Sequence, residues 1–65
     1  MIESKTLVLA MEEAQMQSLQ HPGTMVRVMT KGQKKPVICC SEWVYRERVL
    51  EGWTCYCKYL DGRIM

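Results

Sequence analysis

Residues 52–63, GWTCYCKYLDGR, decide how the chain is read. Alternate side chains of a strand share a face, so Trp53, Cys55, Cys57 and Tyr59 point one way and Tyr56 and Lys58 the other. Asp61-Gly62 is a strong two-residue hairpin signal, because its central positions need φ above zero. The stretch is predicted to be a strand entering a reversal, within antiparallel sheet.

Working outward, "TMVRVMT" at 24–30 has the same period of two. Val26 and Val28 face one way, and Met25, Arg27 and Met29 the other. "KGQKKP" at 31–36 is a basic turn. Pro36 lacks an N–H and suits the first position of a strand beginning "VICCSEWVY". "RERVLEG" at 46–52 reads as a loop or as the far arm of a bent strand. Before "HPG" at 21–23 the residues are helix formers, with Leu7, Met11 and Ala14 at helical spacing. Ser4 or Thr6 is suited to cap this helix, and Pro22 and Gly23 to end it. The expected fold is α+β: a single small domain over 1–65, with a helix at about 4–20 and an antiparallel β-meander at about 24–65.

The chain has 65 residues, so its core is marginal, with only about 60% of the unfolded surface buried at this size. A hydrophobic fraction of 48% and a charged fraction of 25% are those of a globular domain. Nine Lys plus Arg against seven Asp plus Glu give +2, too little to argue for nucleic acid alone. The apolar run TLVLAM is bounded by Glu3 and Glu12, too short for a membrane span and without a leader's basic flank. The expected location is cytoplasmic, with no membrane partner.

Three stretches, "GTMVRV" (23–28), "KGQKKPVI" (31–38) and "CKYLDG" (57–62), follow one another in an order that resembles the YodC-like family of small uncharacterised proteins. The resemblance covers about two-thirds of the chain and implies an SH3-like sheet or partly open barrel behind the helix. It implies no catalytic residue. The N-terminal helix and the longer charged middle segment depart from the family pattern.

Four cysteines invite a metal reading. Cys39, Cys55, Cys57 and His21 are the ligands such a site would use, but structural zinc draws on C-x₂₋₄-C turns, and C-x-C on a strand is a poor chelate. Redox catalysis wants C-x-x-C at a helix start, which is absent. Alternation with Trp53 and Tyr59 favours thiols that pack as small hydrophobes, and if Cys39 shares that face it comes with Val37 and Trp43. No cofactor is expected, and no P-loop, nucleophile elbow or metalloprotease helix occurs, so the expectation is a non-enzyme.

Two binding surfaces stand out. Met25, Arg27, Met29, Tyr56, Lys58 and Arg63 are the candidate protein-binding residues of an adaptor or inhibitor acting through a sheet edge or methionine-rich face. Its partner is a protein of unknown identity or a second copy joined near residues 53–65, where the "WTCYCKYL" strand needs a neighbour unless an earlier strand supplies one by barrel closure. Lys31, Lys34, Lys35, Arg46, Arg48 and Tyr56 are the candidates for the alternative, an RNA- or DNA-binding barrel. Glu42, Glu47 and Glu51, interleaved with the arginines, weaken a phosphate-binding field.

Overall fold

A computed structural model describes residues 4–65; the reading of Met1 to Glu3 lies outside it. Helix α1 spans Ser4–Gln20 and is followed by β1 (Val26–Thr30) and β2 (Val37–Cys39). Helix α2 (Glu42–Leu50), β3 (Thr54–Leu60) and β4 (Arg63–Ile64) complete the order. The strands form one antiparallel sheet in the order β2-β1-β3-β4, which does not close on itself. The α+β class and the N-terminal helix are as expected from the sequence.

The α1 face of the sheet holds the main core. Val26 and Val28 of β1 and Tyr59 of β3 pack with Ala14, joined by Leu7, Ala10, Met11, Ile38 and Cys57. The spacing of Leu7, Ala10, Met11 and Ala14 puts one stripe of α1 on the sheet. The strand pairing aligns the other half of this core: Val26 sits opposite Tyr59, and Val28 opposite both Cys57 and Ile38.

The β3–β4 hairpin is latched to α1. Asp61 and Gly62 both have positive φ, 53° and 81°, as a two-residue turn of this kind requires. Ser18 is wholly buried, donates its hydroxyl to the Gln15 carbonyl (2.7 Å) and accepts the Gly62 N–H (2.8 Å). Gln15 donates to the Gly62 carbonyl at 2.9 Å, and the Gly23 N–H donates to Asp61 Oδ1 at 2.9 Å.

Three expectations are corrected. Residues 42–50, read as continuing strand and then loop or bent strand, are helix, so the β-meander over 24–65 is interrupted. The helix has a complete C-terminal stop: the Trp53 N–H reaches the Arg48 carbonyl (2.9 Å), the Gly52 N–H reaches the Val49 carbonyl (3.0 Å), and Gly52 has φ 97°. That is the double bond pattern of a Schellman motif, with glycine supplying the left-handed residue. Second, β3 is not short of a neighbour near 53–65, because β1 pairs along it from Thr54 to Tyr59. Third, Trp43 does not share a core face with Cys39; it is 75% exposed on α2.

Candidate functional site

Helix α2 lies on the sheet face opposite α1. Arg27 alternates with the inward Val26 and Val28, and it meets α2 directly. Its Nη1 donates to Glu42 Oε2 at 3.1 Å, and its guanidinium carbon lies 4.0 Å from the centre of the Tyr45 ring. Arg48, one turn on, pairs with Glu51 at 3.1 Å and lies 5.7 Å from the Trp53 ring centre. Lys31 donates its ammonium to the Glu51 carbonyl, a cation at the negative end of the helix.

The helix is thus seated by Glu42, Tyr45 and Arg48, which are largely polar, and none of its residues is buried. Two large apolar side chains turn outward: Trp43, and Leu50 at 88% exposure, stand seven residues apart on one line, while Val44 and Val49, on the two flanks, are partly exposed. Arg46 lies 5.8 Å over the Trp43 ring on that same side. A shallow groove runs between Tyr45, Arg46, Val49 and Leu50.

A second concavity adjoins it, and Tyr45 is the wall common to both. Arg27, Tyr56, Lys58 and Met65 line this one, with Cys55 and Cys57. Arg27 and Lys58 are directly opposite on β1 and β3, two like charges side by side on one face. The Arg27 side chain is only 14% exposed and gives one hydrogen bond, through Nη1, among the described residues. Arg27 nevertheless borders the concavity, with Tyr45 on one side and Lys58 on the other.

Of the candidate protein-binding residues, the fold gathers Arg27, Tyr56 and Lys58 around this concavity. Met29 is wholly buried and offers no surface, contrary to its expected place on a methionine-rich binding face. Met25 is half-buried just before β1, and Arg63 is exposed on β4, away from the concavity. Of the nucleic-acid candidates, Lys34 and Lys35 are exposed in the β1–β2 turn and Tyr56 on β3, while Lys31 and Arg48 are bonded to α2's own end.

The thiols are dispersed. Cys39 is paired with Arg27 and is buried on the α2 face, while Cys57 joins the α1 core. A register shift between Val28 and Met29 sets Cys55 across from Met29, so Cys55 and Cys57 do not share the neighbours that strict alternation implies. Cys40 is exposed and donates to Gln17 Oε1 at 2.9 Å, and His21 is exposed past the end of α1. Among the described residues, no three of His, Cys, Asp or Glu stand close enough to hold a metal ion. Burial pushes the Cys39 thiol up, against the opposing pull of Arg48, and burial also raises Cys57 and Tyr59. No helix among the described residues is long and apolar enough to cross a membrane.

No family model matches the chain, and neither a curated protein nor a solved structure matches it.

Proposed function

We propose that this chain is a small non-catalytic protein-interaction module, with α2 as its contact element. One observation carries the reading: α2 seats its polar side on the sheet and turns Trp43 and Leu50 to solvent. A surface helix ordinarily buries its apolar stripe. Tryptophan, tyrosine and arginine are also the residues over-represented among interface anchors; Arg46 lies over Trp43 on the outer side and shares the groove with Tyr45. Four free cysteines accord with a reducing compartment, the cytoplasm.

The test uses a double variant, Trp43→Ser with Leu50→Ser. Both positions are exposed, so its urea midpoint is expected to stay close to that of the parent. Immobilised parent chain is expected to retain a protein from the native host's extract that the double variant loses. Retention unchanged by the double variant rejects α2 as the contact element. The nucleic-acid reading rests on fewer residues, since two of its cations are engaged within the chain.

A further inference from the structure

The two concavities differ in chemistry and share the Tyr45 wall, which narrows the kind of partner that fits. On one side lies an apolar groove formed by Tyr45, Val49 and Leu50 with the stem of Arg46. On the other, the cations Arg27 and Lys58 line the concavity, and Glu42 is bonded to Arg27. Arg27 is held in place by its stack on Tyr45 and its bond to Glu42, and it lines the concavity beside Lys58. A guanidinium fixed in this way loses little freedom on meeting a carboxylate and can grip it with two parallel bonds. Lys58, opposite it, is repelled by Arg27 until an anion lies between them.

We propose that the partner segment is an acidic-apolar peptide stretch: a bulky apolar side chain fills the groove at Leu50 and Val49, and a neighbouring Asp or Glu reaches Arg27 and Lys58. This rests on α2 being the contact element. Charge complementarity selects the acid, and the exposed aromatic and aliphatic surface selects its apolar neighbour. Tyr56, 53% exposed beside Lys58, gives the far wall against which the segment lies.

The test is selection of displayed random peptides of about 12 residues on the folded chain, long enough to cover both concavities. A synthetic copy of the most enriched sequence is then titrated by calorimetry. Enriched peptides are expected to carry Asp or Glu within a few residues of Leu, Ile, Phe or Trp. Lys58→Glu and Leu50→Ser are each expected to weaken binding about tenfold or more, with Lys34→Glu, outside both concavities, changing it by less than about twofold. Added salt is expected to weaken the parent and have little effect on Lys58→Glu.

Enriched peptides without acids, insensitive to Lys58→Glu but lost with Leu50→Ser, overturn the acidic partner and leave α2 as the contact element. No enrichment, or binding indifferent to Leu50→Ser, overturns both. Single-stranded RNA that displaces the peptide at physiological salt, and that needs Lys58, assigns the cationic concavity to nucleic acid and overturns the proposal.

Discussion

Ser18 holds its hydroxyl between the Gln15 carbonyl and the Gly62 N–H. Ser18→Ala leaves the Gly62 N–H without its partner and is expected to lower stability by about 1–3 kcal/mol in urea unfolding. Gly62 is constrained twice. A Cβ there would run into the Leu19 side chain, and its φ is 81°. Leu19 is exposed and can move, so Gly62→Ala with Leu19→Ala is expected to recover the steric part of the loss and keep the backbone part, about 1 kcal/mol. Equal loss in single and double variants would place the whole cost in the backbone. The buried thiols add a dependence on pH. Cys39 and Cys57 titrate above the ordinary value of 9.0 when folded, because burial disfavours the thiolate. The unfolded chain therefore releases these protons first, and the stability they lend is complete below about pH 9 and lost as the pH climbs through the folded values. In reductant, the urea midpoint is expected to fall from pH 8 to pH 10, and to fall less in Cys39→Ala; a flat profile contradicts buried thiols.

At the scale of elements, α2 is a helix held by little packing. Nine residues are too few for a stable isolated helix, and this one buries no side chain. Its C-terminal stop therefore matters more than usual. Gly52→Ala has room for the methyl, with Lys31 Cε at 3.5 Å, so its cost is the left-handed backbone alone, about 1–2 kcal/mol. That loss is expected to appear as faster amide exchange across 42–50 with little change at β1. The two tryptophans should separate as well. Trp43→Ala is expected to change stability by less than about 0.5 kcal/mol. Trp53 is half-buried under Arg48, so Trp53→Ala is expected to cost about 2 kcal/mol, below the 3–5 of a fully buried ring. Similar values for both would contradict the outward placement of Trp43. The same features explain what could be read beforehand. Leu7, Met11 and Ala14 announce α1 by their spacing, and Asp61-Gly62 announces the hairpin, because each signal is local. In α2 the sheet-facing residues are Glu42, Tyr45 and Arg48, so there is no apolar stripe to find, and Trp43, Val44 and Tyr45 favour strand by propensity. The legible cue was Gly52, one residue past Leu50-Glu51 with Arg48 in the last turn. The meeting of Arg27 with Lys58 depends on strand register, which no local pattern states.

Taken whole, the molecule is a sheet with an apolar helix on one face and a polar-seated helix on the other. Its centre is the β1–β3 pair, and β2 and β4 are short and marginal to it. Amides of Arg27 to Met29 and of Cys57 to Tyr59 are expected to exchange most slowly, by global unfolding, and those of α2 by a smaller local opening. Equal protection of α2 and β1 would contradict a helix held by so little packing. The latch between α1 and the hairpin turn has a consequence in time. Ser18 and Gly62 are 44 residues apart, so on a ribosome the helix is made roughly 2–9 s before its bonding partner, at about 5–20 residues per second. Through most of that interval Leu7, Met11 and Ala14 lack the β3 half of their core, Cys57 and Tyr59, and a 17-residue helix alone is barely stable in water. Nascent chains stalled before Asp61 should therefore engage chaperones, and release from them should coincide with emergence of the hairpin.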